Sequence, residues 1–226
     1  MTVPTRHGHQ RLIIASLADD NNGYNAMQVC VSTKTAWSGF LHAAFDCNGG
    51  NWPFKRFNRT FSNVAHRLCS LELKTSLLTN HLDDHELALT YRAIAKLEFS
   101  MLAIGVFEGI GIMKHAQILH EGNRGQYFNF DKAGKGVWKK GIKKIDPSLT
   151  KPEAGGDRID NELGQIRDRI HVDNSFAAPT DYSEINDDRF RLMQILVADL
   201  LTAMAANSDA TIPTSTNLTA CKNLPE

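Results

Sequence analysis

DDHELALTYRAIAKLEFSMLAIGVFEGIGIMKHAQILH, Asp83 to His120, is the stretch on which the fold turns. Its two opening aspartates suit helix N-capping, because a short carboxylate side chain accepts from backbone N–H groups that lack a partner within the helix. From there Leu87, Tyr91, Ile94, Leu97 and Met101 recur at steps of three or four, the period of one helix face. The spacing predicts one long, deeply buried helix. Gly105, Gly109 and Gly111 fall in its second half, where each glycine costs about 1 kcal/mol against alanine, so they predict either a kink or a close helix crossing.

Working outward, PFKRFNRTFSNVAHRLCSLELKTSLL (Pro53 to Leu78) starts with proline at a tolerated first-turn position and carries Phe57, Phe61, Val64, Leu68 and Leu71 on one stripe. It is the expected antiparallel neighbour. SEINDDRFRLMQILVADLLTAMAAN (Ser183 to Asn207) places Asp187 and Asp188 in a first turn, ahead of a wide apolar face of Phe190, Met193, Leu196, Val197, Leu200 and Met204. NAMQVCVSTKTAWSGFLHAAFD (Asn25 to Asp46) also reads as helix, although Val29, Val31 and Thr33 are β-branched. With turn-rich clusters such as NGGNWP and DPSLTKPEAGG between them, these segments predict an all-α fold, an antiparallel helical bundle of about four to six helices. One domain over residues 11–206 is expected, with flexible tails at 1–10 and 207–226, where apolar periodicity is missing.

Twenty-five basic residues balance twenty-five acidic ones, so no global field favours a nucleic acid or a membrane, and any polyanion must meet a local patch. The basic N-terminal segment holds too short an apolar run for a signal peptide. The run Met101 to Met113 is interrupted by Glu108 and is shorter than a membrane span. A soluble, cytoplasmic protein with no membrane partner is expected. Cys30, Cys47, Cys69 and Cys221 form no CxxC pair and read as unpaired thiols.

The local patch is FDKAGKGVWKKGIKKID (Phe130 to Asp146), which concentrates Lys132, Lys135, Lys139, Lys140, Lys143 and Lys144 around Trp138. Two readings fit it equally: an RNA backbone lying on the lysines, or a solvated helix face with Trp138 and Ile142, one turn apart, packed inward. Its GKG is no phosphate loop, since the full spacing is missing. HLDDH places His81 and His85 four apart, but N-capping explains its aspartates better than a metal does, and the other histidines default to core or surface.

GGDRIDNELGQIRDRIHVDN (Gly155 to Asn174) repeats Ile159, Leu163, Ile166 and Ile170 at steps of four, three and four, which predicts another helix with that stripe facing the core. Arg167 and His171 then share one flank of it, a turn apart. A permanent cation beside a group titrating near neutral pH suits phosphate chemistry. Such a pair near the C-terminal end of a helix also serves simply to cap it or to form an ion pair.

The segment IRDRIH, followed by a short loop and a last amphipathic helix, resembles the HEPN superfamily of small α-helical bundles. Members carry an arginine, a polar follower and a histidine near the end of the penultimate core helix; here Arg167, Asp168 and His171 match them. Three residues separate Arg167 from His171, one fewer than the family's usual minimum. The resemblance implies a metal-independent endoribonuclease of a toxin–antitoxin or abortive-infection system, acting as a homodimer, with RNA as substrate and an antitoxin or regulatory protein as a further partner. His171 would move the proton and Arg167 would hold the phosphate, with no cofactor and no metal. The alternative is a catalytically inactive helical binding or dimerisation module. A metal-dependent bundle enzyme ranks last, because no Glu-x-x-His set recurs.

Overall fold

A computed structural model describes residues 2–4, 9–15, 26–45, 54–80, 86–122, 136–150, 152–153, 156–157, 185–213 and 216–219. The fold is all-α in class. Five α-helices carry it among the described residues: α1 (Lys34–Ala44), α2 (Phe54–Asn80), α3 (Glu86–Gly122), α4 (Val137–Ile145) and α5 (Asp187–Ala206), with a 3₁₀ turn at Pro147–Thr150. No described helix is long and apolar enough to cross a membrane.

The helix α3 is the axis of the molecule. Phe99, Ala103, Val106, Phe107, Ile110 and Met113 along it are fully buried, and its main packing partners are α2 on one side and α4 on the other. Contacts between α2 and α3 climb one helix as they descend the other: Lys74 pairs with Glu98, Arg67 lies against Gly105, and Val64 against Gly109. That is the antiparallel pairing expected from the sequence. The same progression relates α1 to α2, where Ser32, just ahead of α1, meets Glu72, while Phe45 at the far end packs edge-on against Phe61 with centroids 5.6 Å apart.

Of the three glycines of α3, Gly105 and Gly109 lie against side chains of α2, and Gly111 marks a crossing with α4. A Cβ on Gly111 would run into the backbone of Trp138, and a Cβ on Gly141 would run into the backbone of Gly111, so α3 and α4 meet main chain to main chain. Only glycine permits so close an approach. Helix α4 then buries Trp138, Gly141, Ile142 and Ile145 on this face, and Gly136 caps its start with a left-handed φ of 83°. Helix α5 is capped by Asn186, whose side chain accepts from Arg189 N, and it lines the opposite part of the core with Met193, Leu196, Val197, Leu200 and Leu201.

Two expectations are corrected. Within the segment read as one helix from Asn25, Ala26–Ser32 is instead a strand, β3, and the helix begins only after Thr33, whose hydroxyl accepts from Ala36 N at 3.1 Å. The alternating β-branched run of Val29 and Val31 favours extended chain once a partner strand exists. That partner is β2 (His9–Ala15), paired antiparallel from His9↔Ser32 to Ala15↔Ala26, and β1 (Thr2–Pro4) pairs on its other edge. Described parts of the first ten residues therefore belong to a sheet and not to a tail. Two further short strands, β4 (Pro152–Glu153) and β5 (Gly156–Asp157), form a separate antiparallel pair ahead of Ile159.

The C-terminal segment is the second correction. Beyond α5, Ala210 and Leu218 are buried, and Asn217 Nδ2 donates to Glu72 O at 3.2 Å and to Ser76 Oγ at 2.7 Å. A polar, aperiodic segment packs back on α2 because its amide side chain satisfies groups of that helix.

Candidate functional site

Helix α4 forms the site, and its register explains the arrangement. Trp138 and Ile142, one turn apart, are buried, as the inward-packing reading of this segment requires. Lys140, Lys143 and Lys144 are left exposed on the remaining surface, while Lys139 Nζ lies 5.7 Å from the ring centroid of Trp138. No acidic residue interrupts Val137–Ile145, and among the described residues no salt bridge reaches Lys140, Lys143 or Lys144. Lys143 and Lys144 also complement the negative end of the helix dipole in its last turn.

The glycine crossing brings a second set of basic side chains to this surface. One turn past Gly111, α3 presents Lys114 and His115, and around Gly141, α4 presents Lys140, Lys143 and Lys144. His115, Lys140, Lys143 and Lys144 line a groove of about 570 Å³ whose apolar residues are Ile118 and Pro147. Partial burial, and then the charge of Lys140, push the His115 imidazole below its ordinary value of 6.5. Lys144 also lines a smaller hollow of about 40 Å³ together with Lys114, Phe45 and Asn207. Its wall is held by polar ties: Lys114 Nζ donates to Gln117 Oε1 at 3.0 Å, and Gln117 Nε2 donates to Phe45 O at 3.2 Å.

Of the residues singled out from the sequence, Lys139, Lys140, Lys143 and Lys144 stand on α4 as described. Arg167, Asp168, His171, Lys132 and Lys135 lie outside the described residues, as do His81 and His85. Sequence reading missed Lys114, His115 and Ile118 as neighbours of the lysines, since some twenty-five positions separate the two groups and only the crossing joins them. The pair Gly111 and Gly141 was the available signal.

A second polar cluster lies inside the fold. Glu72 is fully buried, and its carboxylate accepts from Ser32 N at 2.6 Å and from Ser32 Oγ at 2.8 Å. Cys69 Sγ donates to Ser32 O at 3.4 Å, and burial, followed by the charge of Glu72, pushes its thiol up to about 11. Such a thiol stays protonated near neutrality and is a poor nucleophile. The carboxylate is satisfied by backbone and hydroxyl donors, so this cluster fastens the end of β3 to α2. Among the described residues no group of histidine, cysteine, aspartate or glutamate is placed to hold a metal ion.

No protein-family model matches the chain, and neither a curated protein nor a solved structure matches it.

Proposed function

We propose that the protein is an RNA-binding helical bundle of the HEPN type that cuts RNA without a metal, using Arg167 and His171. The observation that carries the binding half is the polar surface of α4, where Lys140, Lys143 and Lys144 stand exposed with no acid in the helix. Such a surface suits a phosphate backbone, which is held by charge whatever its sequence. The cutting half rests on the one-turn spacing of Arg167 and His171 and on the IRDRIH resemblance.

The chemistry follows from these side chains. The ribose 2′-oxygen attacks phosphorus as His171 takes its proton, the bond to the 5′-oxygen breaks, and an imidazolium or water returns a proton to the departing oxygen. Arg167 holds the phosphate and the charge that builds on it, and Asp168 orients the pair. The products are a 2′,3′-cyclic phosphate and a 5′-hydroxyl end. Following the resemblance, the working unit is a cytoplasmic homodimer that an antitoxin or regulatory protein restrains.

Incubating labelled RNA with the purified chain, with and without EDTA, beside a His171→Ala variant tests this. Cleavage that persists in EDTA and disappears in the variant is expected; cleavage lost in EDTA, or unchanged in the variant, rules the mechanism out. The three-residue spacing between Arg167 and His171 favours a second reading, a catalytically silent binding or dimerisation module, which predicts RNA binding with no cut products.

A further inference from the structure

The backbone contact of Gly111 with Gly141 turns two separate basic segments into one concave surface. Its lining is mixed: His115 and Ile118 come from α3, the ammonium groups of Lys140, Lys143 and Lys144 from α4, and Pro147 from the turn that follows α4. A volume of about 570 Å³ is that of a small-molecule site and far exceeds what a single hydrated ion needs. Among the described residues no carboxylate lines either this groove or the adjoining hollow that shares Lys144.

Each feature narrows the ligand. Three ammonium groups within five residues of one helix, with a further cation at Lys114, favour a group carrying more than one negative oxygen, and ammonium is a compact point charge suited to phosphate. The side chains of Ile118 and Pro147 offer no hydrogen-bond donor, so the part of the ligand resting on them is apolar. We propose that the α3–α4 groove binds a phosphate ester, its phosphate on Lys140, Lys143 and Lys144 and its apolar ring on Ile118 and Pro147. The ester is either a free small molecule or the phosphate and base of an unpaired RNA nucleotide. The proposal stands on the groove and does not depend on cleavage by His171.

The test uses the full-length chain and phenyl phosphate as probe, followed by calorimetry, with inorganic phosphate as the ring-less control. Saturable binding of phenyl phosphate, at least about tenfold tighter than inorganic phosphate, is expected from burial of the ring. A Lys143→Gln, Lys144→Gln double variant is expected to weaken it by about tenfold or more, while Lys34→Gln, an exposed lysine on α1, leaves it unchanged. A second measurement needs no variant: phenyl phosphate slows acetylation of Lys140, Lys143 and Lys144, read residue by residue by mass spectrometry, and leaves Lys34 unaffected.

Displacement of phenyl phosphate by a short single-stranded RNA, measured on the His171→Ala chain, assigns the groove to RNA; failure to displace it assigns the groove to a free ester. No saturable binding of phenyl phosphate, equal binding of inorganic phosphate, or binding indifferent to the double variant overturns the proposal. A wild-type chain that binds the probe but never cuts RNA overturns only the cleavage mechanism.

Discussion

Glu72 shows how one residue's chemistry is set by its partners. A fully buried carboxylate is expensive unless its oxygens are satisfied, and here Ser32 supplies both a backbone and a hydroxyl donor. Truncation would leave the Ser32 N–H buried without its acceptor, so Glu72→Ala is expected to destabilise the fold by about 2–4 kcal/mol in chemical denaturation. Glu72→Gln keeps one oxygen for Ser32 N and can donate to the Ser32 hydroxyl, so it should cost clearly less. Equal losses in the two variants would show that the hydrogen bonds are not what Glu72 contributes.

Within the helices, glycine substitutions separate propensity from packing. Gly39 sits exposed in α1 with nothing near its missing Cβ, so Gly39→Ala should stabilise by about 0.5–1 kcal/mol through helix propensity alone. Gly111→Ala and Gly141→Ala meet backbone that cannot move aside, and each should destabilise by about 1–3 kcal/mol or more despite the same propensity gain. Gly105→Ala meets only the flexible Arg67 side chain and should fall between. Thermal unfolding of the four variants checks the order, and a stabilised Gly141→Ala chain would refute the crossing. Leu87 to Met101 marked α3 as a helix by their period but not its buried face, since Tyr91 and Met101 are exposed while Phe99, Ala103 and Val106 are buried; nor did a local signal distinguish a kink at the glycines from a crossing, because the distinction lies in the partner helix.

For the whole molecule, the attachment of α5 to α3 is the electrostatic joint. Asp187 accepts from Lys96 Nζ at 2.6 Å and from Arg92 at 3.3 Å, and Phe99 meets Phe190 edge-on at 5.0 Å just beyond. The bond from Lys96 is the main influence holding the Asp187 carboxyl below its ordinary value of 3.8. A carboxyl depressed by folding stabilises the fold above its unfolded value and loses that contribution as pH falls through 3.8 towards the lower folded value. Asp187 is largely exposed, so the effect is screened to roughly 0.2–1 kcal/mol. Wild type should exceed Asp187→Asn in stability at pH 7 and lose that advantage in acid; a gap independent of pH would exclude the ion pair as its source.

The positions of α2, α3 and α5, the all-α class and, as one of two readings, the inward seat of Trp138 and Ile142 were legible in the chain, because a 3.6-residue period is a local property; burial bears out the stripe of α5 from Phe190 to Met204 but not the one read in α3. The strand at Ala26–Ser32 was not legible, since its β-branched residues favour extended chain only once β2 pairs with it across the register. The packed C-terminal segment and the mixed cationic and apolar groove were equally hidden. Both are made by groups far apart along the chain, Asn217 with Ser76 and His115 with Lys140, which meet only when the helices have packed.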